Sequence, residues 1–131
     1  MNINFDSIID YLPYMLGGAW VTLKVAFATA IIGSILGLLI SFGTRKKGIL
    51  KTILKGWVDF FRGTPLLFQL AFFHYGLPQI TGWIPTPYVS AIVVFSFNSS
   101  AYLSEILRAG IESINKGQIE AAHALGVSTM D

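Results

Sequence analysis

Three apolar runs, parted first by a basic stretch and then by one rich in glycine and proline, set the plan of the chain. Trp20 to Phe42 is the clearest, 23 residues in which Lys24 is the only charge. As a helix rising 1.5 Å per residue it reaches roughly 34 Å, enough for a hydrocarbon core of about 30 Å. Lys24 lies one turn from the outer end and can snorkel to the surface. Gly33 and Gly37, one turn apart, predict a place where a second helix comes close. Upstream, residues 1–17 carry a weak helical pattern interrupted by Pro13 and Gly17-Gly18, which predicts a short external lead along the membrane surface.

The second run, about 58–77, contains Pro65, which lacks a backbone donor and clashes with the carbonyl of Phe61. A kink or a restart is required, and Thr64 as cap with Pro65 at the first helical position is the economical solution. Only 13 residues remain from Pro65 to Leu77, about 20 Å of helix, short for a full span. Between the first two runs, Ile49, Leu50, Ile53 and Leu54 recur at helical spacing among lysines, as in a helix lying at the interface. Gly76 to Pro87 reads as an external turn, with Trp83 and Tyr88 in an aromatic belt.

The third run, about 88–107, carries Ser96, Asn98, Ser99 and Ser100 near its middle. At bilayer depth such groups face other helices or water, not lipid. Asn98, Ser99 and Ser100 are therefore candidates for an interhelical contact or for the lining of a path. Glu105 and Arg108, one turn apart, can pair where the helix leaves the membrane. Residues 109–131 return to mixed polarity. Within them Gly117 to Gly126 predicts a short helix, with Glu120 in its first turn and Gly126 in the left-handed position after its last. Such a helix is either a docking element or an ordinary connector.

Composition fits a membrane solvent: 53% hydrophobic residues, 12% charged and a mean hydropathy of +0.64, far from a soluble average. Nine Lys and Arg stand against seven Asp and Glu, and six of the nine (Arg45, Lys46, Lys47, Lys51, Lys55 and Arg62) lie between the first two runs. That excess assigns the loop to the cytoplasm, with the C-terminus beside it and the N-terminus outside. A nucleic-acid partner would need a basic face, which the sequence lacks. Asp6 and Asp10 precede the first run with no basic region before it, so no cleavable signal pattern is present.

The residues of catalysis are not assembled. There is no cysteine, no phosphate-binding glycine loop ending in Lys-Ser or Lys-Thr, and no arguable Ser/His/Asp set. His74 and His123 are too few and too far apart for a metal site, and His74 reads as a packing residue. No catalytic residue, metal or cofactor is expected, and the chain is not expected to be an enzyme.

Three segments, in order, carry a resemblance. Phe60-Phe61-Arg62-Gly63-Thr64-Pro65-Leu66-Leu67-Phe68-Gln69-Leu70, Phe97-Asn98-Ser99-Ser100-Ala101-Tyr102-Leu103-Ser104-Glu105-Ile106-Leu107-Arg108, and Glu120-Ala121-Ala122 followed by Gly126 resemble the signatures of the inner-membrane permease subunits of ABC importers for polar amino acids, the histidine and glutamine type. The likeness covers nearly the whole chain from Gly18 onward.

The resemblance implies an all-α membrane protein: three transmembrane helices plus a cytoplasmic coupling helix, the N-terminal part of a five-helix ABC permease fold. It implies a multi-pass subunit of the inner (plasma) membrane, in contact with lipid, that translocates while a separate ATP-binding subunit hydrolyses ATP. Its other partners would be a second permease, identical or different, and an external substrate-binding protein. Glu120, Ala121, Ala122 and Gly126 carry over as the ATPase-docking residues of the EAA loop. That motif continues in the family to an Ile-x-Leu-Pro element, whereas the sequence stops at Asp131, so a truncated product, a fragment or an incomplete sequence of such a permease is expected. Two other readings remain open: a small membrane protein that binds partner subunits without transporting, and a homo-oligomeric channel lined by Asn98 and its serines.

Overall fold

The computed structural model describes residues 5–115 together with Gly117, Gln118, Glu120 and 124–126. The described residues form helices and turns, with no strand among them. The order is α1 (Phe5–Arg45), α2 (Ile49–Gly63), α3 (Leu66–Ala71), a π-helical turn (Phe72–Gly76), α4 (Leu77–Thr81) and α5 (Pro87–Glu112).

The expected external lead is instead part of α1, which continues through Pro13 and Gly17-Gly18. Pro13 deprives only the Ile9 carbonyl of its donor, in an exposed early turn. Gly17 and Gly18 have open space around them, and an apolar surrounding favours unbroken helix because nothing else there satisfies the backbone. The interface helix and the start of the second run are likewise one element. α1 stops at Arg45, Gly48 turns the chain at φ 103°, and α2 runs without interruption to Gly63.

Two helices, Tyr11–Arg45 within α1 and Pro87–Glu112, are long and apolar enough to cross a bilayer. The middle segment of the three expected spans is not one helix but is assembled from α2, α3 and the π turn. Its break falls at Thr64-Pro65, where proline brings no backbone donor.

α1 and α5 pack along a seam of small residues. The buried positions of α1 are Thr29, Gly33, Gly37, Ile40 and Ser41, a single stripe at helical spacing. A Cβ on Gly33 would stand 2.9 Å from Cβ of Ser99, and one on Gly37 3.0 Å from Cβ of Leu103. Hydrogen at these two positions is what lets the helices approach. On α5, Ser90, Val94, Ser96, Ser100, Ala101 and Ser104 are buried. The hydroxyls of Ser100 and Ser104 donate to the carbonyls of Phe97 (2.7 Å) and Ala101 (2.8 Å), so their own helix satisfies them.

α2 closes on α5 through aromatic rings: Trp57 lies 4.5 Å from Phe61 and 4.9 Å from Phe97, centroid to centroid. Offset and edge contacts at these distances suit ring quadrupoles. The outward face of α1 leaves Phe27, Leu39 and Phe42 exposed, a surface suited to lipid rather than water.

Candidate functional site

The residues expected to carry chemistry fall in three places: the helix break in mid-bundle, the charged end of α5 and the segment around Glu120.

At the break, Thr64 precedes a proline, which disfavours the helical region for it, and its backbone is extended at φ −114°, ψ 144°. Thr64 therefore closes α2, its N–H donating to the Phe60 carbonyl at 3.1 Å and its hydroxyl to the same oxygen at 2.7 Å. Pro65 stays extended as well (ψ 133°) and occupies the cap of α3. The expected arrangement, Thr64 as cap and Pro65 as first helical residue, is displaced by one position.

Pro65 has no N–H to give the Phe61 carbonyl, and side chains supply what is missing. Gln69, 6% exposed, points its amide nitrogen at the Phe61 carbonyl (3.0 Å), the Thr64 carbonyl (3.1 Å) and the Thr64 hydroxyl (2.8 Å). Its two hydrogens are thus shared among three acceptors. Asn98 donates to the Phe61 carbonyl at 3.0 Å and to the amide oxygen of Gln69 at 3.3 Å. No member titrates, so the network offers no acid or base; what it does is tie α5 to the junction of α2 and α3. Of the neighbouring candidates, Ser99 faces Gly33 across the seam and Ser100 is turned onto its own helix. Gln69, the centre of the network, was not singled out from the sequence; the available signal was a lone amide one turn beyond Pro65 in an apolar run.

Toward the other end of α5, His74 in the π turn shares a hydrogen with Ser90, Nδ1 to Oγ 2.9 Å. The pair lines a mostly apolar cavity of about 340 Å³ with Leu67, Leu70 and Tyr75.

Where α5 ends, Arg108 grips Glu105 with two parallel hydrogen bonds, Nε to Oε1 at 3.1 Å and Nη2 to Oε2 at 2.8 Å. This is the pairing expected from their spacing. Arg108 also bonds Glu112, and Arg62 of α2 approaches Glu105 at 3.5 Å, with its guanidinium 5.6 Å from the Tyr102 ring. These groups border a cavity of about 520 Å³ that also takes in Arg45, Lys51, Lys55 and Asp59.

Beyond α5, Asn115 opens a new turn: its side-chain oxygen accepts from the Gly117 N–H at 2.9 Å and its carbonyl from the Gln118 N–H at 3.0 Å. Gly117, Gln118, Glu120 and Ala124 have helical backbone, Glu120 is exposed, and Gly126 adopts φ 82° in open space, the left-handed geometry expected of it. Ala121 and Ala122, the other two docking candidates, lie outside the described residues. Among the described residues no group of His, Cys, Asp and Glu could hold a metal.

A helical component with two helices long and apolar enough to cross a bilayer, a broken segment between them, and exposed helical backbone at Gly117, Gln118 and Glu120 is the class these features define. Residues 30–131 match the model of the binding-protein-dependent transport system inner membrane component, and the chain belongs to that family. It is 45% identical over 130 residues to the arginine transport system permease protein ArtQ of Bacillus subtilis (strain 168), covering 97% of this chain and 58% of that protein. It is 36% identical over 127 residues to a putative glutamine transport system permease protein GlnP of Rickettsia conorii, covering 94% of this chain and 58% of that one. Among solved structures it resembles a crystal structure of an amino acid ABC transporter with histidines. The TM-score is 0.87 and the identity 36%, over 98% of this chain and 60% of that one. The chain thus spans somewhat under two thirds of the length of these relatives.

Proposed function

We propose that the chain serves as a translocation subunit of an ATP-driven importer of polar amino acids, coupled to a separate ATP-binding subunit through the helix around Glu120. The observation that carries the coupling is the exposed Glu120 on helical backbone, followed by Gly126 at φ 82°. A short polar helix of this composition has too little apolar surface to stand alone and is suited to a partner's groove. The names of the relatives, arginine and glutamine permeases, support a polar amino acid as cargo.

In this mechanism, closure of two ATP-binding subunits moves the Glu120 helices of two permeases and, with them, the attached spans. The pathway passes from inward-facing to outward-facing, where an external binding protein delivers substrate. ATP is hydrolysed in the partner; no residue of this chain takes part. Asn98 acts in this reading as the bond between α5 and the helix break, a role supported by its two donations there. The chain lies in the inner membrane with its N-terminus outside and the Glu120 helix in the cytoplasm.

The test is ATPase activity of the reconstituted complex with its binding protein. Gly126→Pro and Glu120→Lys are each expected to abolish the substrate-stimulated component; coupled hydrolysis surviving both changes would sink the docking role.

A further inference from the structure

We propose that the cavity between the end of α1, one side of α2 from Lys51 to Arg62 and the end of α5 is a binding site for an anionic phospholipid headgroup. Five basic and three acidic side chains border this space of about 520 Å³. Glu105 and Glu112 are both bonded to Arg108 and Glu105 also faces Arg62, which leaves Asp59 as the one acidic residue of the border in no ion pair among the described residues. Arg45, Lys51 and Lys55 form no ion pair among the described residues. They leave the cavity with an excess of positive charge for a phosphodiester, whose single charge and oxygens match lysine and the arginine fork.

Apolar neighbours argue for a lipid as the source of that phosphate. Ile49 and Ile53, 81% and 62% exposed, lie on the face of α2 opposite Lys51 and Lys55, so an α2 resting on the membrane through its isoleucines holds those lysines at headgroup level, and Phe42 is exposed on α1 one turn before Arg45. A ligand with an anionic head and hydrocarbon tails covers both kinds of surface; free phosphate covers one. The site rests on the reading of the chain as membrane-embedded, and it goes beyond diffuse attraction because Lys46 and Lys47, equally basic and also exposed, do not border the cavity.

The contrast supplies the experiment. The full chain is inserted into phosphatidylcholine bilayers, extracted in mild detergent, and offered phosphatidylglycerol or phosphatidylcholine of the same acyl chains. Retained lipid is counted by native mass spectrometry. Selective retention of phosphatidylglycerol is expected, reduced about tenfold by the double change Lys51→Ala and Lys55→Ala and less than about twofold by Lys46→Ala with Lys47→Ala. Equal losses in the two variants would overturn a built site in favour of diffuse attraction, and so would retention without headgroup preference. Displacement of the lipid by equimolar inorganic phosphate would overturn the lipid as ligand. Loss of a co-purified ATP-binding subunit from the Lys51/Lys55 variant, with lipid selectivity unchanged, would give the cavity to that partner instead. Failure of the unaltered chain to enter the bilayer at all would strike the membrane reading, and with it this site.

Discussion

The side-chain amide of Asn98 donates at 3.0 Å to the carbonyl oxygen of Phe61, 37 positions earlier in sequence. That carbonyl is the one Pro65 leaves without a helical donor. A defect in one helix is thereby repaired by another, with Gln69 sharing the work.

The repair predicts a hierarchy of stability losses. Removing Gln69 by Gln69→Ala takes the side-chain donor from the Thr64 carbonyl and leaves the Phe61 carbonyl with Asn98 alone, and is expected to cost on the order of 1–3 kcal/mol. Asn98→Ala is expected to cost about 1 kcal/mol, in the range of interhelical bonds in membranes. In a Pro65→Ala background, where residue 65 regains its N–H, the loss from Asn98→Ala is expected to shrink. Unfolding titrations in mixed micelles measure all four, and an unchanged Asn98→Ala loss in that background would show that the amide serves something other than the break.

The seam of α1 and α5 predicts a compensating pair. Gly33→Ala introduces a methyl group against Cβ of Ser99 and should destabilise by roughly 1–3 kcal/mol. Ser99→Gly removes the carbon it meets, so the double variant is expected to recover most of the loss. Thermal melts of the four proteins form the cycle, and simple additivity would contradict the contact.

Gly126 predicts an order among substitutions at one position. Its φ of 82° costs a residue with an ordinary Cβ roughly 1–2 kcal/mol, whereas asparagine tolerates the region better. Co-purification of an ATP-binding subunit is expected to fall in the order Gly, Asn, Ala, Pro. An equal yield from all four would mean that this turn plays no part in docking.

The proposed orientation is testable without background, since the chain contains no cysteine. A single cysteine replacing Lys46 should react with an impermeant maleimide only from the cytoplasmic side, and one replacing Ile84 only from outside. The reverse pattern would invert the topology.

Much of this was legible in advance because lipid imposes simple rules. Gly33 and Gly37 announced a close approach by spacing alone, Glu105 and Arg108 a pair by the same means, and Pro65 a break by its missing hydrogen. Two things were hidden. Pro13 and Gly17-Gly18 carry the turn chemistry of water-soluble proteins, yet α1 runs through them, because the environment rewards helix more than local propensity opposes it. The part played by Gln69 could not be read from its neighbours in sequence, since half of its significance comes from Asn98, which reaches it only once α5 has packed.

The π turn bears on the geometry of the whole middle segment. Gln69, Phe73 and Leu77 all face inward to some degree, as do Leu70, His74 and Pro78, a recurrence of four residues. On a regular α-helix eight residues overshoot two revolutions by about 80°, so Gln69 and Leu77 would look in different directions. The wide turn at Phe72–Gly76 takes up one more residue per loop and restores their common bearing. It acts as a phase correction, and shortening it by one residue would turn the Gln69 end of the segment away from Asn98 while leaving every side chain of both helices unchanged.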